Sequence, residues 1–371
     1  MFPLRHFLCC ALLFSVGALV SALSITDLFE ISFDEDVAGN CEAEGAGRFA
    51  RYIKEGISLA MAGIDFVNAA TDPSDELHVQ AKRLGTEWFR NPDSDDYESI
   101  LIYYEKVLDW LQNNGPNDDG DNPLKPYLFC GDSWALRKTL QDPLFGIDGK
   151  PVRDNNGDVV LIGDNSDMLN AQSEQAQATR QAVYPYWSER LSGYVWAPAF
   201  GPLPTDGYCA QPKAYGFCFT PSSQPLIGHS WISLCDYSFT DLVLGQPKCN
   251  VVEKNDFREN VAPEGAGNIN DITPESATFF HELFHLLYGA AETIPPDTPD
   301  RKEVYGTWQM LGQEPLEGAT NGEKMESYQA LANPETYTQV AVAFYYTKTL
   351  PLADGRRQEF YTGFCTVQDD V

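Results

Sequence analysis

Two of the five histidines in this 371-residue chain lie four residues apart, in the segment ATFFHELFHLLYG. On a helix, His281 and His285 project from one face, one turn apart, so both imidazoles can bind one Zn²⁺ ion. Glu282 stands beside the pair and can reach a metal-bound water as a general base. The other residues of the segment are mostly apolar, which predicts a buried helix whose polar side chains need a role. The HExxH pattern therefore predicts a zinc site with hydrolytic chemistry, and a buried helix with hydrogen-bonded histidines is the alternative.

A catalytic zinc ion needs a third protein ligand and an open coordination position. No histidine follows His285 in the chain, which argues against the long three-histidine metzincin motif. The third ligand is therefore sought among the carboxylates that follow Gly289. The nearer of these are Glu292, Asp297, Asp300, Glu303, Glu314, Glu317, Glu323, Glu326 and Glu335.

Three motifs of the C-terminal half resemble those of the secreted fungal Asp-zincin metalloendopeptidases, the group of deuterolysin and the peptidyl-lysine metalloendopeptidases. In that family, HExxH is followed by a segment ending in D-x-x-Y-G, whose aspartate binds zinc and whose tyrosine supports the transition state. A helix with an A-D-S-Y or A-D-S-H pattern comes later. Here HELFH matches the first motif, EVYG at 303–306 matches the end of the second, and MESYQALANP at 325–334 resembles the third. GTEWFR, HSWISLCDYSF and the cysteine-led N-terminal helix also look like family segments.

The resemblance implies an α+β, mainly helical, zincin-like metalloprotease fold with a small disulfide-tied sheet, and it gives Tyr305 the role of the tyrosine that hydrogen-bonds the oxyanion. Lys302 stands where the family has its aspartate, and a lysine is a poor zinc ligand. Glu303 has a longer arm next to Tyr305 and is the preferred third ligand, with Asp300 and Glu326 as alternatives. Glu326 could instead accept a hydrogen bond from a ligand histidine.

The function implied by the resemblance is that of a zinc-dependent metalloendopeptidase that hydrolyses a protein or peptide substrate. The departure at Lys302 keeps open a catalytically degenerate binding protein on the same scaffold. A purely structural zinc protein is a third possibility and would require a fourth protein ligand.

The N-terminus has a short basic start and an apolar run, followed by Val20-Ser21-Ala22, which predicts a signal peptide over residues 1–22 and a secreted, extracellular protein. We expect a zincin-like catalytic domain over 23–371, made of N-terminal helices at 23–112, an insertion at 113–205, and the sheet and HExxH region at 206–371. The formal charge of −29 disfavours nucleic acid and anionic membranes as partners. We expect a monomer.

Hydrophobic periodicity and turn residues predict the remaining elements. A hairpin is expected around Asn155-Asn156-Gly157, a polar-faced helix in NAQSEQAQATRQAV, and disulfide-tied strands within 208–252. Of nine cysteines, Cys9 and Cys10 leave with the signal, so seven remain. We expect up to three disulfides, with Cys209–Cys218 as the favoured local bridge. Helices are predicted at 41–70, 76–88, 97–111, 274–288, 303–311, 324–332 and 334–350.

Overall fold

The computed structural model describes residues 23–113, 125–198, 207–210, 215–220, 229–239, 269, 273–293, 302–349 and 357–367. The predicted signal peptide lies outside these residues. The helices are α1 Ile25–Leu28, α2 Gly45–Thr71, α3 His78–Trp88, α4 Ser94–Gln112, α5 Ser166–Thr179, α6 Ala277–Tyr288, α7 Ala290–Thr293, α8 Thr307–Met310, α9 Ser327–Leu331 and α10 Pro334–Thr349. The strands are β1 Tyr127–Cys130, β2 Leu136–Arg137, β3 Val183–Ser188, β4 Gly193–Pro198, β5 Gly216–Phe219, β6 Trp231–Leu234, β7 Gln358–Glu359 and β8 Thr366–Val367.

The helices α2, α3, α4, α6 and α10 pack together around the main core, with α2 in contact with each of the others. Apolar residues recur every three or four positions along α2 and bury one face of it, for example at Phe49, Ile53 and Phe66. Helix α4 begins at Ser94 because the Asp93 side chain accepts hydrogen bonds from two backbone N–H groups of the first turn. The motif helix α6 is therefore held inside a helical layer.

A three-stranded sheet of order β1-β6-β5 covers another side of the motif helix. Strand β1 is parallel to β6, and β5 is antiparallel to β6 with Gly216 opposite Leu234 and Cys218 opposite Ile232. Strand β5 is at the end of the sheet order and packs directly against α6. The motif helix thus lies between the helical layer and the β5 side of this sheet.

Residues 136–198, most of the predicted insertion, form the antiparallel sheet β2-β3-β4 together with α5. This part has a core of its own, which includes Ile162, Trp187 and Trp196. The predicted hairpin is confirmed: Arg153 pairs with Val159 across the turn. A second core joins this sheet to the β1-β6-β5 sheet.

The predicted long helices are present, with ends that differ by a few residues, but the helix predicted at 303–311 is wrong. Residues 302–306 are not helical, and only the short helix Thr307–Met310 follows them. The motif helix begins at Ala277, three residues later than predicted, after a turn at Glu275 and Ser276. It stops where predicted, because Gly289 has a φ of 73° and its N–H bonds to the His285 carbonyl.

The disulfide prediction Cys209–Cys218 is also wrong. Cys209 bonds to Cys235, and a second disulfide joins Cys41 to Cys130. Cys218 is held inside β5 opposite Ile232 and packs against the main core, whereas Cys235 directly follows β6. Cys218 is a free thiol, as is Cys365. Among the described helices, none combines the length and apolarity needed to cross a membrane.

Candidate metal centre

The motif helix presents its two histidines side by side at its buried face. His281 is 3% exposed, and the two imidazole centroids are 5.1 Å apart. Their helix is anchored by Phe279, Phe280 and Phe284, which are fully buried in the main core. Apolar packing therefore fixes the helix, and the helix repeat places both rings on one side.

Glu303 completes a group of three possible metal ligands with His281 and His285. The ligand atoms of these residues lie within 4.8 Å of one another, so the group could hold a metal ion. Glu303 Oε1 is 2.8 Å from His285 Nε2, and Glu303 Oε2 is 3.4 Å from His281 Nε2. The runner-up Asp300 lies outside the described residues. Glu326 does not belong to the group, because it sits at the start of α9, where its N–H bonds to Gln329 Oε1.

Two hydrogen bonds orient the histidine rings so that their Nε2 atoms face Glu303. His281 Nδ1 is 2.9 Å from Glu335 Oε2, and His285 Nδ1 is 2.6 Å from Thr293 Oγ1. The single hydroxyl hydrogen of Thr293 is donated to the Gly289 carbonyl at 2.7 Å, so its oxygen must accept the bond from the histidine. A carboxylate accepts in the same way, so both rings carry a hydrogen on Nδ1. In their neutral forms both therefore present a bare Nε2 lone pair.

When both rings are neutral, three electron-pair donors converge here, an arrangement that a cation would satisfy. Buried atoms without a hydrogen-bond partner include His281 Nε2 and Glu303 Oε1. Burial opposes charge on His281, but the carboxylates of Glu303 and Glu335 outweigh it and raise the pKa of His281 well above its ordinary value. Burial likewise opposes charge on Glu303, yet His285 and His281 hold the pKa of Glu303 well below its usual range. The site therefore favours positive charge, as a proton or as a metal ion.

Glu282, the predicted general base, is 4% exposed and lies next to β5. Its Oε2 atom is buried and has no hydrogen-bond partner. A Cβ atom added to Gly216 would lie 3.0 Å from Glu282 Oε1, so a side chain at this position of β5 would crowd the carboxylate. Burial raises the pKa of Glu282, and the two nearby histidines oppose that effect.

Tyr305 lies at the same centre. Its ring stacks on His281 with centroids 5.7 Å apart, and its hydroxyl donates a hydrogen bond to the Glu303 carboxylate. The side chain is 59% exposed, so it borders the open side of the group. Lys302, which stands in the aspartate position of the resembled family, is exposed and is not part of the group.

Sequence reasoning missed the roles of two residues of this arrangement: Glu335, named there only as one of the possible third ligands, and Thr293. The role suggested for Glu326, accepting a hydrogen bond from a ligand histidine, belongs to Glu335 in the first turn of α10. Glu335 in turn accepts a bond of 2.6 Å from Gln339 Nε2. Asn333-Pro334 is typical of a helix start, so the sequence places Glu335 in the first turn of a helix, where its backbone is fixed.

Comparison of the chain with protein-family models, with curated proteins and with solved structures gives no match.

Proposed function

We propose that the protein is a secreted zinc-dependent metalloendopeptidase. The observation that carries the proposal is the donor set of two histidines and one glutamate, next to the buried Glu282, whose Oε2 atom has no hydrogen-bond partner. Two imidazoles and a carboxylate are the ligands of a common class of catalytic zinc sites, in which three protein ligands leave one position open. Within the described residues no fourth protein ligand joins the group, which favours a catalytic over a purely structural zinc site.

When bound, Zn²⁺ supplies Lewis acidity, which lowers the pKa of water towards roughly 7 and polarises a carbonyl group. His281, His285 and Glu303 would hold it, while Glu335 and Thr293 keep the Nε2 lone pairs turned towards it.

Glu282 is the group that moves protons. It accepts a proton from the attacking water and delivers it to the amine nitrogen as the peptide bond breaks, so that the carboxylate is regenerated. Its burial excludes bulk water, which strengthens its interaction with the reacting groups. Tyr305 can turn its exposed ring so that the hydroxyl leaves Glu303 and donates to the developing oxyanion.

A peptide substrate suits the surroundings of Glu282. Strand β5 pairs with β6 on one side, and no strand of the described residues pairs with its other side. An extended peptide could add to such an edge through main-chain hydrogen bonds. This would bring a scissile bond close to Glu282, which touches the same strand at Gly216.

The test is Glu282→Gln in the full secreted chain. We expect this variant to retain about one zinc per chain and to lose cleavage of casein or of lysine-containing peptides by roughly 10²-fold or more, since it keeps the ligands but removes the base. Wild-type cleavage should disappear with a chelator and return with zinc. A wild-type chain that binds zinc and cleaves nothing would instead support the catalytically degenerate binding protein. Cleavage that survives in the variant would refute the role of Glu282.

A further inference from the structure

The segment that carries the third ligand, residues 302–306, is neither helix nor strand. At its centre, Val304 is held by the side chain of Asn333, which is fully buried. Asn333 Oδ1 accepts a hydrogen bond of 3.0 Å from the Val304 N–H, and Asn333 Nδ2 donates one of 2.9 Å to the Val304 carbonyl. Nδ2 also donates to Thr336 Oγ1 at 3.0 Å. One amide side chain thus satisfies both peptide groups of one residue.

These two hydrogen bonds between Asn333 and Val304 fix the directions of the neighbouring side chains. An amide that binds the N–H and the carbonyl of one residue holds it as a neighbouring strand would. Val304 itself is 5% exposed and packs into the main core. Side chains alternate along an extended chain, so Glu303 and Tyr305 share the opposite side. Both do face the histidines, and the Tyr305 hydroxyl meets the Glu303 carboxylate.

Asn333 is placed as a helix cap, but its side chain is not used as one. It directly precedes Pro334, the first residue of α10, where an asparagine oxygen commonly accepts a backbone N–H of the first helical turn. Here that oxygen accepts from Val304, which is 29 residues away in the chain. Helix capping therefore does not explain the contact. Two residues later, Glu335 holds His281. The start of α10 thus fixes two members of the metal centre at once.

We propose that Asn333 is a positioning residue for the metal centre: it holds the backbone at Val304 so that the Glu303 carboxylate reaches the two histidines. This inference rests on the metal site of the proposed function, but it does not require peptidase activity. Without the amide, both peptide groups of Val304 lose their partners inside the core, and the segment must shift to recover hydrogen bonds. Glu303 would then shift with it.

The experiment compares zinc affinity in the full chain for Asn333→Asp, Asn333→Ser and Thr336→Val. Asn333→Asp keeps the shape and the acceptor for the Val304 N–H, but it sets an oxygen against the Val304 carbonyl. Asn333→Ser removes both bonds. Thr336→Val is the matched control, because it removes only the third bond of the same amide and leaves Val304 held.

Zinc dissociation constants are measured by competition with a chromophoric chelator, and folding is checked by far-UV circular dichroism. We expect both Asn333 variants to bind zinc roughly 10- to 100-fold more weakly than wild type, the usual effect of losing an outer-sphere partner. Thr336→Val should stay within about twofold, since the support of Glu303 is intact.

Zinc affinity within about twofold of wild type in a folded Asn333 variant would overturn the assignment. Equal weakening by Thr336→Val would overturn it as well, because the effect would then follow general loosening of the α10 start. Loss of the fold in both Asn333 variants would show a role in the whole core and would count against positioning. A wild-type chain that binds zinc without cleaving peptides would refute only the proposed function.

Discussion

Gly216 leaves the space in which the carboxylate of Glu282 lies, and Gly216→Ala tests how closely that carboxylate must be placed. The backbone of Gly216 does not need glycine, because it is not among the residues of positive φ. An alanine Cβ would lie 3.0 Å from Glu282 Oε1, 3.1 Å from Thr278 Cγ2 and 3.3 Å from Leu234 Cδ2. Atoms on several sides oppose a retreat of the new methyl group, so the carboxylate has to move.

The size of the effect follows from that geometry. The distance to Oε1 is short of an ordinary contact of about 3.5 Å by roughly half an ångström. A misplacement of about 1 Å at a catalytic group costs on the order of 10²-fold, so half of that distance predicts a loss of roughly tenfold in kcat. Zinc binding should not change, because Glu282 is not in the ligand group.

The assay measures kcat and KM on a fluorogenic peptide together with zinc content and thermal midpoint. Gly47→Ala is the matched control, since a Cβ there meets nothing within 4 Å and the residue has no positive φ. We expect the control to keep wild-type kcat. A Gly216→Ala protein with wild-type kcat would refute the close-approach argument, and one that loses zinc would show that the strand supports the ligands instead.

Three further predictions concern the hydrogen-bond partner of His281, a disulfide and a buried glutamate. Glu335→Gln replaces the charge-assisted hydrogen bond to His281 by a neutral one. The loss of about 1 kcal/mol of binding free energy should weaken zinc binding roughly fivefold in chelator competition. An unchanged zinc affinity would contradict the role of Glu335 in orienting His281. Replacing Cys41 and Cys130 by serine removes a disulfide whose cysteines are 89 residues apart in the sequence. Urea unfolding should then show that the free energy of unfolding falls by about 2–4 kcal/mol. A fall of less than about 0.5 kcal/mol would contradict a stabilising role of this disulfide. Burial raises the pKa of Glu359, and Arg83 only partly opposes this effect. The contribution of Glu359 to the free energy of unfolding is therefore present below the unfolded-state pKa and is lost as the pH rises through the folded-state pKa. Glu359→Gln should therefore stabilise the chain more at pH 7 than at pH 4, and equal changes in thermal midpoint would contradict this.

The sequence was sufficient for the part of the site that lies on one helix. His281, Glu282 and His285 are related by the helix repeat alone, and the apolar residues around them predict the burial that the structure shows. Glu303 was chosen for its reach beside Tyr305, and it is the carboxylate that joins the histidines. These relations are local, so spacing and side-chain length determine them.

Apart from the local bond between His285 and Thr293, the relations that sequence reasoning missed join distant segments. The helix predicted at 303–311 fails because the amide of Asn333 binds Val304 in place of a helical partner. Glu326 and Glu335 could not be told apart from the chain, since which of them meets His281 depends on how α10 packs on the motif helix. The predicted pairing of Cys209 with Cys218 fails for a similar reason, because strand order decides which cysteines meet.

The chain order of the metal centre has a consequence during protein synthesis. The ribosome makes the two histidines first, Glu303 next, and Asn333 and Glu335 last, so the start of α10 is the final part of the centre to arrive. Earlier segments can begin to fold while the rest is still being translated. Until α10 has emerged, the growing polypeptide carries the histidines without the contacts that orient His281 and hold the third ligand. The group of possible metal ligands is thereby completed only when translation is nearly over.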